Sequence, residues 1–136
     1  MADEFEIKLR QGETYRKSFQ SGQGHLDETT TPPTWVIDQP DDFDGAHARM
    51  QIRKAYGTPV IIELTDVEDP AVGSITLEEG LVTLWITDEA TDGMTDNDKV
   101  ITAAKYDLEI YWPSGDTTRW MQGPVSCTEN ITRDVP

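Results

Sequence analysis

Two runs of carboxylates are the first places to look for chemistry. Asp38, Asp41, Asp42 and Asp44 crowd one short stretch, and Asp92, Asp96 and Asp98 crowd another. Calcium takes roughly six to eight oxygen ligands at suitable spacing. Asp42-Phe43-Asp44-Gly45 resembles a fragment of a calcium-binding loop, but the glutamate that would close such a loop is missing. Aspartates also tolerate turn geometry and remain solvated there. Both runs therefore read as turns, and no metal or other cofactor is expected.

The remaining reactive types are sparse. Cys127 is the single cysteine, so no intrachain disulfide can form. It alternates with Val125 in an apolar run, which suits a buried structural thiol. A reactive thiol needs a basic or histidine neighbour, and His25 and His47 lie far away in sequence. With 26 acids in the chain, chance pairs of carboxylates are expected, so glycosidase-like pairing carries no signal. There is no serine nucleophile elbow, phosphate-cradling glycine loop, metalloprotease helix or Cys/His zinc set. The expectation is a protein that is not an enzyme, with no catalytic residues. The candidate functional residues are aromatic instead. Trp85, Tyr111 and Trp120 fall on faces that alternation assigns to solvent, where aromatics anchor protein interfaces or stack on sugars.

The elements that position these residues are strands. In Tyr106–Trp112, every second residue is apolar: Tyr106, Leu108, Ile110 and Trp112, against Asp107, Glu109 and Tyr111. This period of two predicts a strand with one buried face. Pro113-Ser114-Gly115-Asp116 turns it into a second strand from Thr117 to Cys127. The same alternation places Phe5, Ile7 and Leu9 on one face of a first strand over residues 4–10. It places Tyr15 and Phe19 inward on a second, and Ala46, Ala48, Met50 and Ile52 inward on a third. Val60, Ile62 and Leu64, then Ile75 and Leu77, then Val82, Leu84 and Ile86 supply three more inner faces. A helical turn is expected around Glu89-Ala90. Residues 21–34, rich in Gly, Thr and Pro, read as an unusually long loop, followed by a short strand at Trp35–Asp38. Tyr106 is placed as in a tyrosine corner, where the phenol bonds back to upstream backbone.

Eight or nine short strands with frequent turns and little helix predict an all-β fold, an immunoglobulin-like antiparallel β-sandwich. A length of 136 residues fits one domain, read as residues 1–127 with a C-terminal tail at 128–136. The net charge near −15 repels nucleic-acid phosphates and anionic membranes, and suits a basic patch on a partner protein. The acidic start, Met1 to Glu6, has no apolar signal region, so folding in a cytoplasm is expected. Asn130-Ile131-Thr132 matches a glycosylation acceptor, which such a setting leaves unused.

Several stretches resemble a family of small virion proteins of tailed bacteriophages. They are Glu6–Tyr15, Ala48–Arg53, Gly80–Ile86, and Tyr106–Ile110 followed by Gly115, Arg119 and Gly123. In order along the chain they are similar to the N-terminal immunoglobulin-like domain of phage baseplate upper proteins, which hold receptor-binding proteins or fibres. The chain departs from that pattern in its 21–34 stretch and its acidity. The resemblance implies a virion structural protein made in a host bacterial cytoplasm. Its partners would be tail, fibre or capsid proteins and symmetric copies of itself, with no nucleic acid and no membrane. A tail, baseplate or fibre-anchoring role comes first, and a capsid decoration (cement) protein second. A carbohydrate-binding module, with Trp85, Tyr111 and Trp120 as its platform, is the alternative from another class.

Overall fold

The computed structural model describes residues 3–129. Alternation is clearest in the strands at the centre of the larger sheet. In β6 (His47–Arg53), Ala48, Met50 and Ile52 are buried, while His47 and Arg49 face solvent. In β12 (Ala103–Tyr111), Ala104, Tyr106, Leu108 and Ile110 are buried. β12 pairs with β6 on one side and with β13 (Thr117–Thr128) on the other, both antiparallel. Beyond β6 lies β7 (Val60–Thr65), and β2 (Ile7–Arg10) runs parallel to the outer side of β13.

A second, smaller sheet covers this one. Its order is β3 (Tyr15–Gln20), β9 (Leu81–Ile86), β8 (Gly73–Glu78), all antiparallel. Val82, Leu84, Ile86 and Ile75 project from it into the same core as Met50, Leu64, Leu108 and Ile110. The chain is thus nearly all β and sandwich-like. Its eight principal strands are β2, β3, β6, β7, β8, β9, β12 and β13, and they switch sheets in the order of immunoglobulin-type sandwiches. A short helix, α1 (Asp88–Asp92), is capped by Thr87, whose hydroxyl accepts from the Ala90 N–H. The hairpin pair β10 (Thr95–Asp96) and β11 (Lys99–Val100) follows it.

The first strand is not continuous as alternation suggests. A two-residue β1 (Asp3–Glu4) pairs with β13, the ladder lapses at Phe5 and Glu6, and β2 resumes the pairing in the same register. Gly123 permits a close approach of the chain here. A Cβ there would lie 2.4 Å from the Phe5 carbonyl oxygen, so only glycine lets the first strand come this close. Tyr106 sits directly across from Gly123, and its hydroxyl donates to that same carbonyl at 2.6 Å. The phenol does bond upstream backbone, but in the first strand rather than in the adjacent corner. Burial raises the Tyr106 pKa well above its ordinary value, so the hydroxyl stays a donor.

The clearest departure from the sequence reading is at residues 21–34. They are not a loop. Gly22–Asp27 forms β4, which pairs antiparallel with β5 (Thr34–Pro40), so the turn shrinks to residues 28–33. The short strand expected at Trp35–Asp38 is the centre of β5. Of the expected tail, Thr128 belongs to β13, where it pairs with Arg10, and residues 130–136 lie outside the described residues, as does the Asn130-Ile131-Thr132 match.

Leu108 is fully buried at the centre of the larger sheet. Leu108→Ala should cost about 2–5 kcal/mol by removing core contacts and leaving a cavity. Urea denaturation followed by tryptophan fluorescence measures this. A loss below about 1 kcal/mol would show that the two sheets do not close on this side chain.

Candidate functional site

The β4–β5 hairpin forms a two-stranded sheet of its own and pairs with no other described strand. It leaves the sandwich as an arm. Its base is clamped at three points. The Ser21 N–H donates to the Gly80 carbonyl, the Gly80 N–H to the Asp41 carbonyl, and the Asp41 N–H to the Ser21 carbonyl. The Ser21 hydroxyl adds a 2.6 Å bond to the Asp41 carboxylate. The arm is therefore rooted in the turn between β8 and β9.

Register divides the arm into two unlike faces. Leu26 lies opposite Trp35 and Gly24 opposite Ile37, so these four share one face. His25, Val36 and Asp38 share the other, where His25 Nδ1 and the Asp38 carboxylate are 2.7 Å apart. A register shift falls between Gln23 and Gly24, and the strands lie close together at Gly24. A Cβ on Gly24 would meet the Val36 carbonyl oxygen at 2.0 Å. At the tip, Thr29 donates to Asp27 from its hydroxyl and its N–H, and these bonds hold the Asp27 carboxyl below its ordinary pKa. The tip thus stays anionic.

Exposure concentrates on this arm. Large apolar side chains that remain exposed among the described residues are Leu26, Trp35, Val36, Tyr56, Val60 and Val67. Half of them belong to the arm, with Leu26 at 49% and Trp35 at 52%. An apolar strand face implies a second layer to meet; the face of Leu26, Trp35 and Ile37 has none among the described strands.

The end from which the arm leaves is acidic. A surface depression of about 500 Å³ beside Phe43 is lined by Asp42, Asp44, Asp66, Glu78 and Glu79. Phe43 itself is buried and stacks on Trp112 at 5.5 Å between ring centres. Among the described residues, no group of three or more His, Cys, Asp or Glu side chains is arranged to hold a metal ion. Asp66 has a structural task, accepting from His47 and from the Ala48 N–H. Asp92 lends its backbone carbonyl to the Gln11 amide, and Asp96 pairs with Lys54 at 3.0 Å. Cys127 is buried, and burial raises its thiol pKa, which disfavours the thiolate.

The three aromatics singled out from sequence do not converge. Trp85 stands half-buried on the outer face of the smaller sheet, with the Arg16 guanidinium 5.5 Å from its ring centre. Tyr111 stands on the outer face of the larger sheet, on the other side of the sandwich. Trp120 is the extra residue of a bulge, because Leu108 pairs with Met121 while Glu109 pairs with Arg119. The bulge turns it toward Phe19, 6.3 Å away and edge-on, and Phe19 in turn meets Phe5 at 4.9 Å. These three rings close the side of the sandwich between β3 and β13. Trp85, Tyr111 and Trp120 therefore make no common platform. The sequence pattern places Trp35 only within a short strand. The signal that could have singled it out was the pairing of Leu26 with Trp35 across a Pro-rich turn.

The arrangement defines a class: an all-β sandwich carrying a rigidly rooted arm with one apolar face, at an acidic end. Comparison with known families finds no family model that matches this chain, and comparison with curated proteins finds no match.

Two outcomes are expected. Gly24→Val should break the pairing of β4 with β5 while sparing the sandwich, since the arm shares no ladder with it. Hydrogen exchange should then speed up at residues 23–38 and stay unchanged in β6 and β12. Asp66 gives a pH signature. Burial opposes its ionisation, but the bonds from His47 and Ala48 outweigh it, and its folded-state pKa is lowered. Its contribution is present above the unfolded carboxylate pKa and is lost as pH falls through the lowered value. Melting curves of the native chain and Asp66→Asn should differ at neutral pH and converge in acid below the carboxylate range.

Proposed function

We propose that this chain is a non-enzymatic structural protein of a tailed-bacteriophage virion. Its place is the tail, as a baseplate or fibre-anchoring accessory that acts in particle assembly or host attachment. The observation that carries the assembly role is the arm. A hairpin that keeps Leu26 and Trp35 half-exposed while the rest of the chain closes its core is built to be covered by something else. The phage setting is supported by the resemblance of Glu6–Tyr15, Ala48–Arg53, Gly80–Ile86 and Tyr106–Ile110 to baseplate upper proteins. The sandwich behind the arm is a stiff mount, since its two sheets share a single core cluster.

Docking fits better than sugar binding. Stacking on a glycan calls for aromatic rings presented side by side. Trp85 and Tyr111 stand on opposite faces, and Trp120 is spent on Phe19.

Mass spectrometry of purified particles tests this reading. The chain should be present at the small copy number set by the symmetry of a tail. A copy number on the scale of the head lattice would move it to capsid decoration. Absence from the particles would refute the virion role altogether.

A further inference from the structure

The arm's area and charge limit what can cover it. Its six paired positions span about 20 Å, and a two-stranded ribbon is about 10 Å wide, so one face offers roughly 200 Å². Stable protein pairs cover about 800 Å² on each side. Laying this face on a flat surface, or arm upon arm, falls well short of that. The arm approaches the needed area only when both faces and both open edges are enclosed. Its seat is therefore a cleft.

Charge narrows the choice further. From residue 18 to residue 48 there is no lysine or arginine, while Asp27, Glu28, Asp38, Asp41, Asp42 and Asp44 all lie there. The apolar face carries no charge, and the carboxylates sit at its tip, on its back and around its root. A second copy is a poor host for such an element. It brings the same net charge of −15, and three of its cations are already engaged. Lys54 pairs with Asp96, Lys105 lies 5.1 Å from the Tyr56 ring centre, and Arg53 donates to the Thr58 carbonyl and to Gln51.

We propose that the arm is an anchoring peg for a different protein, one with an apolar cleft rimmed by lysine and arginine. Leu26, Trp35 and Ile37 fill the cleft, and the carboxylates of Asp27, Glu28, Asp41 and Asp42 meet the cationic rim. Burial of the apolar face supplies affinity. The charges supply orientation, and they discriminate against copies of the chain itself. This inference rests on the assembly reading above but not on the phage setting.

The test uses the full chain and a fluorescein-labelled heptapeptide of alternating lysine and leucine, with the chain titrated to high concentration because a single lysine-rimmed apolar strand covers only one face of the arm and binds weakly. Fluorescence anisotropy should show saturable binding that weakens as salt rises from about 50 to about 500 mM. The double variant Leu26→Ser/Trp35→Ser should bind at least about tenfold more weakly. Tyr56→Ser, which removes a more accessible ring away from the arm, should bind as the native chain does. A lysine–serine peptide of the same charge should bind as poorly as the arm variant responds. Undiminished binding by the double variant, or equal binding of the lysine–serine peptide, overturns the proposal. So does a dimer in sedimentation equilibrium that the double variant abolishes, because the arm would then belong to a second copy. Arm-dependent peptide binding by a chain absent from purified particles would sink the virion role and leave the peg standing. A chain present in particles whose arm ignores the peptide would do the reverse.

Discussion

The structure depends on the meeting of two inner faces. Ile7, Met50, Ile52, Leu64, Leu108 and Ile110 on the larger sheet close against Ile75, Val82, Leu84 and Ile86 on the smaller one, and all are essentially inaccessible to water. With one cysteine there is no covalent brace, so the chain relies on burial and hydrogen bonding alone. The polar groups caught inside are served: Thr91, fully buried, accepts from the Gly12 N–H and donates to the Glu13 carbonyl, tying α1 to the turn before β3. Failure of this contact would release both sheets at once, because each sheet has only the other to cover it.

The arm is the consequence of that economy. Both layers of the sandwich are committed to each other, and the segment between β3 and β6 is too long to bridge them directly. It folds back on itself, satisfies its own backbone across β4 and β5, and leaves its apolar face without a layer. The Ser21–Asp41–Gly80 clamp turns this surplus into a directed projection rather than a loose loop. Acidity then does a second job. A net charge of −15 opposes contact between two copies of an exposed apolar ribbon and favours a surface of opposite sign.

Much of the sandwich was legible along the chain, and the exceptions have physical causes. Ala46 to Arg53 and Tyr106 to Trp112 read correctly because each faces one core with strict two-residue alternation. Residues 21–34 misled because Gly, Thr and Pro signal turns by composition. Here Gly22 and Gly24 serve close strand approach, and only residues 28–33 turn. Trp120 misled because a bulge inserts one residue and reverses the face of its neighbours, which no count along the sequence registers. Phe5 packs its backbone closely on β13 because residue 123, far away in sequence, is glycine.

The amino-acid sequence by itself determined the core-facing strands of the sandwich, most of their buried faces, the acidic composition and the lack of any intrachain disulfide. Those properties follow from local side-chain period and from composition, which need no knowledge of neighbours. Tertiary structure alone decided which aromatics are spent on packing and which stay available. Trp120 turns in toward Phe19, Trp85 shelters under Arg16, and Trp35 stands out on the arm. Exposure is a property of what lies opposite a side chain, and that is set by register and sheet pairing between segments remote in sequence.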